Sequence, residues 1–329
     1  MFTKTIRAAA LGSIAALALA GAASAQDFKP ENPECIAPSA PGGGWDFICR
    51  TTAKFLQEQG LIDSTMQVTT MTGAGGGVAY AYTAKERNED GDLVVAASNS
   101  TFTRLAQGAF PGSTAEDVHW LATFGAEYGA IAVDADSPHQ DLKSLMDAVV
   151  ADPRSIAFAG GSAVGGYDHI KPLLLGQAAG IEDVRQMKYV AFSGGGEAIT
   201  ALLSGSVQAV SGDYSEIRGF KESGDIRILA ILAPERLSGL DDVPTAIEQG
   251  YDVLGANWRG LYMPKDAPEE AKTFWTNAIQ QMAESEEFQK YLLDAQIEPF
   301  NNFGEDMQKF ADDGIQGLGD ISREIGIIQ

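Results

Sequence analysis

The sequence predicts an α/β protein of two lobes, each a mostly parallel sheet flanked by helices, with two crossover strands joining them. Three observations carry this. Short apolar runs alternate with glycine-rich turns and amphipathic stretches, the order that parallel strands with helical crossovers require. The apolar fraction of 45% and the 37 glycines fit tight strand-to-helix turns around a true core. A chain of 329 residues also exceeds what one core ordinarily holds, so it should divide.

Strands are expected near residues 34–38, 66–71, 93–97, 156–159, 188–192, 207–211 and 226–232, with helices following Gly44, Gly76, Thr101, Gly165, Gly196 and Tyr214. Residues 123–133 and 253–263 are long, mostly extended stretches suited to carry the chain from one lobe to the other and back. Lobe 1 then comprises 26–126 and, after the return crossover, the helical tail within 255–329; lobe 2 comprises 127–254.

The first 25 residues read differently. A basic segment with Lys4 and Arg7 precedes a small-residue apolar run, then Ala23-Ser24-Ala25 before Gln26. That is the layout of an export signal cleaved after Ala25, because the run is Ala-rich and shorter than the roughly 20 strongly apolar residues that span a bilayer. Export to the periplasm is expected, with no lipid anchor and no later membrane span. Loss of Lys4 and Arg7 takes the formal charge from −22 to −24. Nucleic-acid binding is thereby disfavoured, since neutralising phosphates needs clustered Lys and Arg. The two cysteines, Cys35 and Cys49, form an even count in an exported chain, which favours a disulfide over two buried thiols.

Five turns follow predicted strands at the sheet edge where α/β proteins bind ligands: 39–46, 72–77, 98–100, 160–166 and 193–196. Runs such as Gly42-Gly43-Gly44 leave main-chain N–H groups uncovered, and each turn feeds a helix N-terminus whose unpaired donors suit a carboxylate. Other chemistries fit less well. Val78 stands where a dinucleotide fingerprint wants glycine or alanine, and no turn ends in Gly-Lys-Ser/Thr. Ser162 lacks a nucleophile elbow because Val164 replaces its second glycine. His119, His139 and His169 are scattered, and no cluster shows metal-ligand spacing. Neither a cofactor nor catalysis is expected.

Side chains at the turns add specificity. Trp45 can cover a ligand or pack the lobe; Asp46 can cap its helix or bond a ligand hydroxyl. Ser98, Asp213 and Tyr214 follow strands and offer polar groups. Arg259, in Asn257-Trp258-Arg259 on the second crossover, can pair two-pronged with a ligand carboxylate or form a salt bridge with a neighbouring acid.

Several motifs stand together in order: Ala-Pro-Ser-Ala-Pro-Gly-Gly-Gly-Trp-Asp at 37–46, Gly73-Ala74-Gly75-Gly76, Gly160-Gly161-Ser162 with Asp168-His169, Ala191-Phe192-Ser193-Gly194-Gly195-Gly196-Glu197, and Ala256-Asn257-Trp258-Arg259-Gly260. With them the chain resembles the substrate-binding subunit of tripartite tricarboxylate transporters, the family of the Bordetella uptake-type receptors, over nearly all of its length after the signal.

The resemblance implies a two-lobed type II periplasmic-binding-protein fold. The ligand carboxylate would be held mainly by the first two glycine turns: Gly43, Gly44, Trp45 and Asp46, then Thr72, Gly73, Ala74 and Gly75; Ala40, on the first turn, is a further candidate of its own. On the second lobe it points to Ser162, Asp168, Ser193 and Gly194, and Gly161 in the same turn is a further candidate of its own. It implies a monomer that captures a small organic acid, a citrate-like tri- or dicarboxylate being favoured, and delivers it to a two-component membrane permease. Thr72, where relatives often carry proline, adds a hydroxyl, and a third glycine followed by Tyr80 and Tyr82 alters that pocket wall. Two other readings stay open: a ligand sensor that docks on a receptor kinase, and a small-acid hydrolase using Ser162 and His169.

Overall fold

The computed structural model describes residues 28–329; the expected export signal and its cleavage point lie outside them. In the first lobe, strand β1 (Glu34–Ala37) lies between β2 (Gln67–Thr70) and β3 (Leu93–Ser98), all parallel. Every residue of β3 is buried, as a continuous Leu-Val-Val-Ala-Ala run predicts for a strand covered on both faces. Helices α1 (Gly44–Glu58), α2 (Gly77–Lys85) and α3 (Asn99–Ala106) follow these strands.

The second lobe repeats the plan. Strand β5 (Ala157–Gly160) lies between β6 (Lys188–Ala191) and β7 (Ala209–Asp213), again parallel, with α5 (Tyr167–Ala178), α6 (Gly195–Leu203) and α7 (Tyr214–Ser223) following. The sequence reading omits α4 (Leu142–Ala151), although Asp141 caps its Ser144 N–H at 2.7 Å and Leu142, Leu145, Met146 and Val149 share its buried face.

Two long strands connect the lobes. Strand β4 (Val118–Asp134) pairs antiparallel with β9 (Ala256–Pro264) over Val118 to Tyr128. Its far end pairs instead with β7 and β8 (Ile226–Ile231), so one strand serves both sheets. Register shifts near Trp120 and Thr123 mark bulges that bend it. Gly260 has no alternative here, because a Cβ would collide with the Ala122 carbonyl.

The tail returns as α8 (Glu269–Glu284), α9 (Glu286–Asp294), the short β10 (Asn302–Phe303) and α10 (Gly304–Glu324). Trp275, Ile279 and Phe288 complete the core that holds Cys35 and Cys49. The tail was expected to stay with lobe 1, but α10 spans both. Met307 and Ala311 pack in lobe 1, whereas Ile325 joins the lobe 2 core and Gln177 bonds Glu324 at 3.0 Å.

The cysteines are bonded, Cα to Cα 5.5 Å, tying β1 to the helix it feeds. In the chain-entropy picture a closed loop of 15 residues contributes about 3 kcal/mol.

Candidate functional site

The carboxyl ends of β1 to β3 face those of β5 to β7 across a cleft crossed by β4 and β9. The lobes touch along its rim: Ala40 N–H donates to the Ser193 carbonyl at 3.1 Å, and Gln107 donates to the Gly165 carbonyl at 2.7 Å. Inside lie an inner chamber of about 40 Å³ and an outer one of about 270 Å³, with Trp45, Ser100, Gly161 and Ser162 lining both. Trp45 is held by its Nε1, which donates to Ser98 Oγ at 3.1 Å.

A buried ion network floors the inner chamber. Arg259 Nε donates to Glu127 Oε1 at 2.7 Å, and Nη2 bonds Glu127 and, at 3.0 Å, Asp213 Oδ2. Lys171 Nζ sits 2.9 Å from Asp168 Oδ1 and 3.0 Å from Asp213 Oδ1. Asn257 Nδ2 donates to Asp213 at 2.6 Å, and Ser215 N–H to Glu127 at 2.9 Å. Burial works to raise the Asp213 carboxyl, but Lys171 and Arg259 outweigh it and hold it below the usual range. Asp168 lies above its ordinary value because burial outweighs Lys171.

Glu216 differs from these. Its Oε1 accepts from Gly44 N–H at 2.6 Å, so this lobe 2 carboxyl occupies the N-terminus of α1. Burial, then Asp213 and Asp168, push it up to about 8. Ser39 also lines the chamber, 5% exposed, with no hydrogen-bond partner for its Oγ among the described residues.

The outer chamber is lined by the second glycine turn. Gly73, Ala74, Gly75 and Gly76 all have positive φ, from 51° to 135°. Glycine bears this freely, whereas Ala74 stores about 1–3 kcal/mol, the kind of strain that clusters at ligand clamps. Arg104 reaches the same chamber from α3. Its Nη1 donates to the Val164 carbonyl at 2.9 Å, but its buried Nε has no partner and no carboxylate pairs with it among the described residues. Burial lowers its pKa.

Most residues expected at the site are brought to the cleft. Gly43, Gly44, Trp45, Ser98, Gly161, Ser162, Asp168, Gly194, Asp213 and Arg259 line the inner chamber; Thr72, Gly73, Ala74, Gly75 and Ser193 line the outer. Three are not. Asp46 turns away from the cleft, accepting from Gly42 N–H at 2.9 Å and pairing with Arg50 at 2.8 Å. Tyr214 is buried in the lobe 2 core, and Ala40 serves the inter-lobe contact rather than a chamber wall. Arg259 faces the chamber, and its Nε and Nη2 are taken by two carboxylates, which is the salt-bridge alternative.

Ser162 and His169, the pair of the hydrolase alternative, are each engaged by a backbone N–H. His169 Nδ1 accepts from Gly165 N–H at 2.9 Å, and Ser162 Oγ accepts from Asp168 N–H at 2.9 Å. Burial lowers His169 to about 4, which leaves the ring neutral near pH 7.

The sequence reading missed Ser39, Arg104, Glu127, Lys171 and Glu216 as site residues. A signal existed for Arg104, four residues beyond Ser100 and so on the same face of α3. None existed for Glu127, whose role depends on strand pairing.

Residues 48–327 match the model of the tripartite tricarboxylate transporter family receptor. The chain belongs to that family. Protein BugT of Bordetella pertussis is 25% identical to this receptor over 319 residues, 95% of each chain. MatC of Rhodopseudomonas palustris with bound malate superposes with a TM-score of 0.77 at 21% identity, over 88% of the receptor and 98% of MatC. R. palustris Rpa4515 with adipate gives 0.82 at 20% identity, over 90% and 97%. These structures share the two-lobed α/β fold.

Proposed function

We propose that this receptor is a monomeric periplasmic solute-binding protein whose lobes close on a small organic acid and whose closed form docks on a two-component membrane permease. The observation that carries the reading is Arg104: a cation in a chamber between the lobes, its Nε unpartnered, beside four successive residues of positive φ. A carboxylate there would meet the guanidinium and main-chain N–H groups together. Both lobes line that chamber, so a ligand bridging them would favour closure through its differential contacts. Family membership, the disulfide and the signal-like leader support the periplasm. The relatives with malate and adipate support a carboxylate as ligand.

The citrate-like preference expected from sequence came from the family resemblance, with Trp45 and Asn257-Trp258-Arg259 as its hint toward the tricarboxylate-type branch. With Arg259 engaged by Glu127 and Asp213, the reading that fits is one carboxylate seated at Arg104 and the rest of the ligand directed inward.

A thermal-shift and calorimetric screen against mono-, di- and tricarboxylates, amino acids and sugars tests this. Acids should stabilise the protein, by about 2.7 kcal/mol at 100 times the dissociation constant. Arg104→Ala should weaken them by roughly ten-fold or more, the cost of a charged hydrogen bond. Stabilisation by neutral sugars alone, or unchanged acid affinity in a folded Arg104→Ala, would refute the reading.

A further inference from the structure

A third cavity, of about 310 Å³, adjoins the cleft; Gly43, Gly44 and Glu216 are the walls it shares with the inner chamber. Its other walls include Phe47, Arg50 and Lys54 of α1, Tyr291 of α9 and Ser215 of α7, so both lobes face it. Arg218 of α7 also bonds the Asp294 carbonyl at the end of α9, and the lobes touch here as they do at the cleft rim.

The walls are locally basic in a chain of formal charge −22. Arg50 and Lys54 lie four residues apart and so share a face of α1. Arg50 spends its Nε on Asp46 Oδ2 at 2.8 Å and makes no other hydrogen bond among the described residues. Lys54 pairs with no carboxylate among them; its Nζ lies 4.8 Å from the centre of the Tyr291 ring and 4.9 Å from that of Phe55. Glu216 is raised to about 8 by burial, then by Asp213 and Asp168, so it holds a proton near pH 7 and does not repel an anion. Of the charged walls, two cations therefore face one carboxylate, Asp46.

Two further features define the shape of an occupant. The Phe47 and Tyr291 rings are parallel to within 8°, with centroids 6.2 Å apart, and form an apolar wall. Asp46 is 3% exposed; its Oδ2 is engaged by Gly42 N–H and Arg50, but its Oδ1 has no hydrogen-bond partner among the described residues. A buried carboxylate oxygen without a donor is costly, and a ligand that brings one relieves the cost.

We propose that this cavity is an effector site, separate from the cleft, for a hydroxylated aromatic carboxylate. The carboxylate lies against Lys54 and Arg50, the ring against Phe47 and Tyr291, and the hydroxyl donates to Asp46 Oδ1. Because both lobes wall the cavity, an occupant favours the lobe arrangement that it bridges, and so alters affinity in the cleft. The site goes beyond the cleft reading and does not involve Arg104.

Calorimetry with 4-hydroxybenzoate, benzoate and cyclohexanecarboxylate tests this on the whole protein. The expected order is 4-hydroxybenzoate tighter than benzoate by about three-fold or more, as one added hydrogen bond gives, with cyclohexanecarboxylate weakest. Lys54→Met should weaken 4-hydroxybenzoate by about five-fold or more, and Tyr291→Leu should act in the same direction. Both variants should leave the tightest aliphatic acid of the cleft screen within about two-fold of its parent value, whereas Arg104→Ala should weaken that acid and spare 4-hydroxybenzoate. Saturating 4-hydroxybenzoate should change the aliphatic acid's dissociation constant by about three-fold or more.

No binding of 4-hydroxybenzoate would overturn the proposal and leave the cleft reading standing. So would binding that Arg104→Ala abolishes and Lys54→Met spares, since that places the ring in the cleft. An aliphatic affinity untouched by saturating 4-hydroxybenzoate would overturn the effector role. Binding of 4-hydroxybenzoate with the expected Lys54 and Tyr291 dependence, but of no aliphatic acid, would overturn the cleft reading and support this site.

Discussion

Replacing Arg259 with methionine separates two roles that an arginine in a cleft can have. The side chain is 2% exposed, Glu127 is fully buried and Asp213 is 5% exposed, so the substitution strands Glu127 away from water without a counter-charge and leaves Asp213 to Lys171 alone. Breaking a buried pair by removing one partner typically costs about 3–5 kcal/mol, far more than the pair's net contribution against an apolar replacement. For a chain of this size that corresponds to a melting shift on the order of 10 °C. Adding Glu127→Gln to Arg259→Met should recover part of the loss, because an amide replaces a charge without a partner. Urea denaturation and thermal melts of the unliganded protein measure both variants, with aspartate and succinate titrations alongside. If Arg259→Met stays within about 1 kcal/mol of the parent and loses acid binding alone, the guanidinium is a ligand anchor and the ion-network argument is wrong.

Three further outcomes are expected. Gly75→Ala places a side chain at φ 63°, with its Cβ 3.0 Å from Ala163 Cβ on the other lobe. It should cost about 1–2 kcal/mol of stability from backbone strain, and a proportionally larger loss in acid affinity by calorimetry, because closure brings those atoms together. Glu216 makes stability fall with rising pH. Its carboxyl is raised from 4.5 to about 8, so the native state holds a proton that the unfolded chain has released. The contribution is complete below pH 4.5 and is lost as pH climbs toward 8; urea midpoints across that window should show a shallower slope in Glu216→Gln. Replacing Cys35 and Cys49 together with serine should lower stability by about 3 kcal/mol in the chain-entropy picture. Two free thiols in the unfolded, unreduced parent protein would show the bond to be absent in solution.

Much of this architecture was legible because its causes are local. The continuous apolar run at 93–97 and the glycines that end each strand announce a buried strand and a tight turn wherever they occur. The long extended stretches at 123–133 and 253–263 likewise reveal β4 and β9 as connectors. Turn glycines at 43, 44, 73, 75, 161 and 194 mark the cleft because an uncovered backbone is a property of the residue itself. Asp46 and Tyr214 misled for the same reason: each sits one or two positions past a turn, and helix rotation points one toward Arg50 and the other into the core.

By itself, then, the sequence determined the α/β class and the two lobes, favoured the disulfide, and picked out glycine turns that line one cleft. Tertiary structure decided the charge of the site. Arg259 meets Glu127 across 132 positions and Asp213 across 46, through the registers of β9 with β4 and β4 with β7. Glu216 reaches Gly44 across 172 positions because the lobes face each other. No short-range pattern encodes such meetings: a side chain's neighbours on its own strand or helix follow from periodicity, but its counter-charge follows from which strands pair and in what register.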